Sequence, residues 1–322
     1  VKQAHTEQWS ALLHEWVESA RSHHVEGRCA DYIPALAKAN PADLGICLCA
    51  ADGTTLQAGQ WDVPFTMQSI SKVISFIAAC MDRGISRVTE SVDVEPTGDP
   101  FNSIVRLENR PGKPFNPLIN AGAITVASLL PGATPAEKLE CVLHLLERIV
   151  GKRPAINEQV YRSEWESAHR NRALAHYLKE LGYLESTVDE ALEVYFKLCS
   201  IEVNTSHLAE IGLTIACDGM HPLREEAIIP KEVARVSKAL MLTCGMYNAS
   251  GKYAAYVGVP AKSGVSGGIM AAVPPRVRDE RLPFLGGCGI GIFGPAVDDS
   301  GNSAAGGVLL RQVAAQWDLS IF

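Results

Sequence analysis

Apolar residues recur at helical spacing near the N-terminus, where Trp9, Leu12, Leu13, Trp16, Val17 and Ala20 fall on one stripe, so the pattern predicts an amphipathic helix with one buried face. The stretch GICLCAADGTTLQAGQ reads differently, as two strand-like runs joined by Asp52-Gly53. Both of these residue types accept positive φ, so the pair predicts a β-hairpin closed by a tight two-residue turn.

Strand signals return near the other end, in KYAAYVGVPA, GGIMAAVP and GCGIGIFGP, each bounded by Gly or Pro. A last helix is expected from about Asn302, with Val308, Leu309, Val313 and Trp317 on one stripe. Between Gly84 and about Leu240 the pattern is mostly helical, as in PAEKLECVLHLLERIV and NRALAHYLKELGYL. Strands separated by so long a helical insertion share a sheet only if the two ends of the chain come together. The fold class expected is therefore α+β: an antiparallel sheet built from both chain ends and flanked by helices, plus a helical lobe. With no internal repeat and no low-complexity linker, the reading is a single two-lobed domain over 1–322, residues 1–84 and 241–322 forming an α/β lobe and 85–240 a mainly helical one.

Composition narrows the partners. The 322 residues are 47% hydrophobic and 20% charged, enough apolar side chain for a large core. A formal net charge of −7 without long runs of like charge argues against nucleic acid and anionic membranes, leaving small molecules. No apolar run reaches the roughly 18 to 20 residues of a membrane span, and the first 25 residues are charged and amphipathic, unlike a secretory signal. Nine cysteines without a C-x-x-C pair fit reduced core thiols, so a cytoplasmic location is expected. Cys47 and Cys49, two apart on a strand, would share one sheet face as buried thiols rather than metal ligands. His23 and His24 sit where cations complement the end of the first helix, and the other histidines lack metal-ligand spacing. In LGGCGIGIFG no helix opens directly after a strand, so close strand packing explains its glycines better than a dinucleotide loop. Neither cofactor nor metal is expected.

The candidate chemistry starts in FTMQSISKVI. From Ser69 to about Arg83 the chain reads as a helix, with Val73, Ile74, Ile77, Cys80 and Met81 on its buried side and Gly84 as the stop. Ser69 and Lys72 are three apart and so share a face. A serine hydroxyl is a weak nucleophile until a base takes its proton, and a lysine serves only if desolvation or nearby charge lowers its pKa from about 10.4. Alone the pair is weak, since average composition gives roughly one S-x-x-K by chance in such a chain and serine is a favoured N-cap. A second element sits in PAKSGVSGG, on a late strand. Penicillin-recognising serine enzymes combine S-x-x-K opening a helix with K-[TS]-G on a strand beside the site, and Lys262-Ser263-Gly264 matches in type and chain order.

Over about Asp31 to Gly306 the chain resembles the glutaminase family of serine-dependent amidohydrolases with a β-lactamase/DD-peptidase-like fold. The resemblance is carried by DYIPALAK, QSISKV, PTGDPFNS, KPFNPLINAGAI, YRSEWESAHRNRALAHYLKE, YFKLCSIEV, TCGMYNASG, PAKSGVSGG and GNS. It implies Ser69 as nucleophile, Lys72 as its partner and an oxyanion hole from the backbone N–H groups of Ser69 and Val265. It implies substrate contacts from Tyr32, Tyr195, Tyr247, Asn120, Glu164 and Asn171, a carboxylate for the α-ammonium of L-glutamine and amides and phenols for its α-carboxylate. The base is open between Lys72 and Tyr247. Without the resemblance, Glu164 and Asn171, seven apart and so on one helical face, would read as solvated, Asn120 as a turn or cap residue, and the tyrosines as core aromatics.

The chain departs from the family pattern at Ala168-His169, where glycine and aspartate are usual, and in IACDGMHPL. A family glycine at positive φ would leave Ala168 strained, and an aspartate paired to a base would make His169 an inversion. The expected activity is hydrolysis of L-glutamine to L-glutamate and ammonia through a serine acyl-enzyme, in a homodimer or homotetramer. The rivals are a penicillin-recognising hydrolase, against which the missing S-D-N counts, and a non-catalytic amino-acid-binding protein on the same fold.

Overall fold

The computed structural model describes residues 2–104, 107–108 and 113–322. Its main sheet consists of β1 Gly45–Ala50, β2 Thr55–Gly59, β3 Ala261–Ser263, β4 Gly268–Val273 and β5 Cys288–Phe293, in the order β2-β1-β5-β4-β3. All neighbours are antiparallel, and β1 from the first part of the chain pairs with β5 from the last, Cys47 opposite Gly291. The sheet is thus built from both ends, as the pattern implied. The helices used below are α1 Lys2–Arg21, α2 Ser71–Arg83, α3 Asn120–Leu129, α4 Pro135–Val150, α5 Glu158–Glu166, α6 His169–Glu180, α7 Val188–Cys199, α8 Thr205–Ala216, α9 Lys231–Cys244, α10 Ser250–Tyr256 and α11 Ala304–Gln316.

Period-2 alternation sorts the strands between two cores. Ile46, Leu48, Ala50, Ile290 and Ile292 face α1 and α11, where Trp16 and Trp317 pack with ring centroids 4.9 Å apart. Cys47 and Cys49 face the other way, with Ala209 and Leu213 of α8. That side of β5 is glycine because α8 lies directly on it: a Cβ at Gly289 would stand 1.8 Å from the Ala209 carbonyl oxygen, and one at Gly291 1.9 Å from that of Thr205. The glycine run is a packing device, and all nine cysteines are free thiols.

A second apolar core joins α2, α3, α4, α7, α8 and α9. Every residue of α2 from Ser71 to Cys80 is buried, Lys72 among them. A helix wrapped on all sides carries its N-terminal polar groups into the interior, and this places the chemistry described below.

Local expectations fared unevenly. The hairpin turn is not the tight two-residue form. Gly53 N–H bonds the Ala50 carbonyl at 3.0 Å, Ala50 N–H bonds that of Thr54 at 2.8 Å, and only Gly53 has positive φ. Asp52 accepts from the Thr54 N–H at 3.0 Å, a local bond that suits an ordinary turn followed by a left-handed glycine. KYAAYVGVPA begins as helix α10 and becomes strand only at Ala261. Its Tyr253 and Val257, four apart, satisfy helical spacing as well as alternation, and Tyr253 packs against α11 at Gly307. Strands are not confined to the ends either, since Phe65–Thr66 pairs with Glu202–Val203 and Met220–His221 with Glu226–Ala227. His24 lies at the end of α1 with Nδ1 2.9 Å from the Arg21 carbonyl oxygen, and His23 pairs with Glu26. Among the described residues, no helix is long and apolar enough to cross a membrane.

Candidate active site

Ser69 stands in a one-turn 3-10 segment, Gln68–Ile70, that leads into α2. Before it, Gln68 holds φ +48°, a left-handed conformation that costs a non-glycine residue on the order of 1–3 kcal/mol. The neighbouring chain holds it there: Met67 N–H bonds the Ile201 carbonyl at 2.8 Å, and Ser266 Oγ donates to the Thr66 carbonyl at 2.6 Å. That second bond also ties the β3–β4 turn to the serine segment. Gly264 permits the approach, because a Cβ there would sit 2.6 Å from the Met67 carbonyl oxygen. Val265 follows it in the same turn and lines the Ser69 cavity; among the described residues its N–H donates to no protein acceptor.

Lys72, one helical turn beyond Ser69, is 1% exposed, and its Nζ donates to Asn120 Oδ1 at 2.6 Å. Asn120 opens α3 and passes the contact on, its Nδ2 donating to Asn171 Oδ1 at 3.0 Å. The Lys72 ammonium also lies 5.8 Å from the Phe101 ring centroid and 5.9 Å from that of Tyr195. Burial pulls its pKa from 10.5 to about 8, with Cys199 and Glu164 opposing. Glu164 is the mirror case: burial raises its carboxyl from 4.5 to about 7, with Gln68 and then Lys72 opposing. The acid and the lysine thus draw toward each other across neutral pH.

A second buried lysine, Lys262, is wholly enclosed and holds its Nζ 2.6 Å from the Ser263 carbonyl oxygen and 4.3 Å from the Tyr247 ring centroid. Burial first, and the Lys72 charge second, keep its pKa well below the usual lysine range. Tyr247 occupies a 3-10 turn at φ +52°, its ring 4.9 Å from that of Phe101. Its buried hydroxyl has no formed hydrogen bond; burial raises its pKa and the adjacent Ser69 hydroxyl opposes the rise.

Tyr32, Ser69, Asn120, Glu164, Asn171, Tyr195 and Val265 line one cavity of about 170 Å³; Lys72 and Tyr247 are not among its lining residues, Lys72 reaching it through Asn120 and Tyr247 lining the neighbouring cleft. A wider cleft of about 640 Å³ on the far side of Phe101 and Tyr247 lacks the serine, Glu164 and Asn171, so size does not mark the reactive cavity here. Tyr195 is buried and Tyr32 is 54% exposed. Glu164 and Asn171 do not share a helix face, for α5 ends at Glu166 and α6 begins at His169. The break turns them toward a common space, and Ala168 sits in it at φ −79°, free of the strain a positive φ would impose.

Sequence reasoning missed Gln68, Phe101, Asn102, Arg170 and Cys199, which also line the cavity, and did not carry Lys262 from its motif into the site. The Lys-Ser-Gly triplet was a usable signal for Lys262. Phe101 and Cys199 lie within PTGDPFNS and YFKLCSIEV, stretches that carry the resemblance, but no chemistry of their own marks them, and tertiary packing brings them to the cavity. Arg170 is placed by its Nε bond to the Asn102 carbonyl at 3.0 Å.

An enclosed polar cavity holding a serine at a helix entrance, with a lysine whose proton is loosened by burial, belongs on this β-lactamase-like α+β fold to an amidohydrolase of small polar molecules. The glutaminase family model matches residues 27–322. The chain is 65% identical over 311 residues to glutaminase 1 of Bacillus subtilis, covering 96% of this chain and 95% of that protein, and 63% identical over 316 residues to glutaminase 2 of Bacillus anthracis, covering 98% and 97%. A crystal structure of a probable glutaminase of Bacillus subtilis superposes with a TM-score of 0.93 at 62% identity, covering 98% of each chain. A further solved structure, with a TM-score of 0.89 at 59% identity and coverage of 97% and 99%, is a covalent complex of a Bacillus subtilis glutaminase with 5-oxo-L-norleucine formed from 6-diazo-5-oxo-L-norleucine. This chain belongs to the glutaminase family.

Proposed function

We propose that this enzyme hydrolyses the side-chain amide of L-glutamine to L-glutamate and ammonia, with Ser69 as the nucleophile of an acyl-enzyme. The observation that carries the reading is the buried Ser69–Lys72–Asn120 arrangement at the floor of a cavity that also holds Glu164. Glu164 receives the α-ammonium of the substrate, whose charge favours the ionised carboxylate that burial alone disfavours. Asn171, Tyr32 and Tyr195 hold the rest of the amino-acid end, and Asn120 bridges it to Lys72.

Lys72, with a pKa of about 8, is neutral in a useful fraction of molecules near neutral pH and takes the Ser69 proton as Oγ attacks the amide carbon. The tetrahedral oxyanion is received by the N–H groups of Ser69 and Val265. Tyr247, kept protonated by burial, donates to the departing nitrogen, and the γ-glutamyl ester is then opened by water with the proton path reversed.

Ammonia release from L-glutamine, compared between the native protein and Ser69→Ala, tests this. Release lost in a folded variant supports it, and turnover near the native rate removes Ser69 from the chemistry. In the same reading the chain works in the cytoplasm as a homodimer or homotetramer, needs no cofactor, and divides into an α/β lobe of 1–84 and 241–322 and a helical lobe of 85–240. Separate chromatography and fractionation measurements check assembly and location.

A further inference from the structure

Tyr247 holds φ +52°, a conformation that a bulky aromatic residue keeps only when its neighbours impose it. Ser250 does part of this locally: its Oγ accepts from the Met246 N–H at 3.0 Å and donates to the Tyr247 carbonyl at 2.7 Å. The Met246 carbonyl, which opens the peptide leading into the tyrosine, is taken by a distant group, Asn302 Nδ2, donating at 3.1 Å from 56 residues along the chain. Asn302 is wholly buried, and its Oδ1 has no formed hydrogen bond. Half an amide left unpaired in a packed interior is a cost that an apolar side chain would avoid, so what the asparagine contributes is its donor.

Asn302 ends a turn built to present it. Asp298 N–H bonds the Asn302 carbonyl at 2.8 Å, and the Asp298 carboxylate accepts from the N–H groups of Ser300 at 2.9 Å and Asn302 at 3.0 Å. Gly301, at φ +92°, lies against the site itself: a Cβ there would stand 3.3 Å from Tyr247 Cε2 and 3.4 Å from Val265 Cγ1. Val297, just before the turn, packs in one small apolar cluster with Tyr247 and Val265. On the other side Ser303 caps α11, its Oγ accepting from the Gly306 N–H at 3.0 Å, so the turn is anchored to the core of the main sheet.

We propose that the Asp298–Asn302 turn is a positioning brace for Tyr247: Asn302 fixes the peptide that sets its left-handed turn, Gly301 seats the edge of its ring, and the phenol is thereby kept beside Ser69. The brace supplies no reacting group, for none of its residues lines the Ser69 cavity. Its effect reaches the chemistry through leverage, because the hydroxyl is at the far end of the ring and a small rotation of the backbone is magnified there. This rests on the assignment of Tyr247 to the proton transfer.

The test is a double-mutant cycle on kcat, with Asn302→Leu introduced into the native enzyme and into Tyr247→Phe, assayed by ammonia release with thermal unfolding recorded for each protein. Asn302→Leu keeps a branched side chain and removes the donor. It is expected to lower kcat roughly 10- to 100-fold, the scale of a displacement of up to about 1 Å in a reacting group, with KM within about threefold. In Tyr247→Phe the same change is expected to cost less than about threefold, since the hydroxyl it would misplace is already gone. Gly301→Ala, which leaves Asn302 in place and sets a methyl against the ring edge, gives the same pattern at smaller size and carries the cycle if Asn302→Leu does not fold. Equal losses in both backgrounds, or a folded Asn302→Leu enzyme with kcat within about twofold of native, overturn the inference. A Tyr247→Phe enzyme with native kcat instead overturns the assignment of the tyrosine, and this inference with it, and leaves Ser69 and Lys72 standing.

Discussion

Replacing Gly264 by alanine tests whether the β3–β4 turn sets the catalytic geometry. Gly264 shows no positive φ, so the substitution adds no backbone strain and its effect is steric. The new Cβ would meet the Met67 carbonyl oxygen at 2.6 Å, where real contacts essentially never fall below 3.0 Å, and would touch Ile70 Cγ1 at 3.4 Å and Gln68 Cβ at 3.5 Å. The turn and the serine segment must therefore separate by about 0.4 Å, the difference between those first two distances. Overpacking of this kind costs about 1–3 kcal/mol. Full loss of an oxyanion donor costs about 10²- to 10³-fold, and a 1 Å misplacement about 10²-fold, so the expected fall in kcat is roughly 10- to 100-fold. KM should change little. The assay is steady-state ammonia release with thermal unfolding alongside, and Gly251→Ala as control, because a Cβ at Gly251 meets nothing within 4 Å. A Gly264→Ala protein that is destabilised yet keeps kcat within twofold of native would refute the assignment of Val265 N–H to the oxyanion hole.

Two further predictions concern charge. Asn120→Asp puts a carboxylate where Lys72 Nζ now finds an amide oxygen at 2.6 Å, so the lysine pKa should climb back from about 8 and the acidic limb of the kcat–pH profile should move to higher pH; an unmoved limb excludes Lys72 as the base. Glu164, raised from 4.5 to about 7, binds a proton in the folded protein that the unfolded chain has released, so its contribution to stability is complete below pH 4.5 and is lost as pH rises to about 7. Glu164→Gln should flatten the fall in melting temperature over that window and raise KM for glutamine at least tenfold, while an unchanged KM would remove Glu164 from ammonium recognition.

The architecture was legible because its cues are short-range. Glycine and proline bound β4 and β5, and the Trp9 to Ala20 stripe is a helix wherever it packs. Where two periods fit the same residues, as in the segment that becomes α10, local pattern could not decide, and packing of Tyr253 on α11 did. The site was legible in part for a different reason: Ser69-x-x-Lys72 and Lys262-Ser263-Gly264 are local motifs, whereas the cavity is made by convergence. The spacing of Glu164 and Asn171 suggested one helical face, but the α5–α6 break at Ser167 and Ala168 is what aims both inward. Burial was also invisible from the sequence. Nothing in the order of residues says that Lys72 and Lys262 are both enclosed, yet that enclosure lowers their pKa values and gives the lysines chemistry.

The most direct test of the account is to react the protein with 6-diazo-5-oxo-L-norleucine and map the covalent adduct by tandem mass spectrometry. A single adduct on Ser69, absent from Ser69→Ala and slowed by excess L-glutamate, is the predicted result. An adduct on another residue, or a folded protein that forms none while still releasing ammonia from glutamine, would contradict the assignment of Ser69 as the nucleophile.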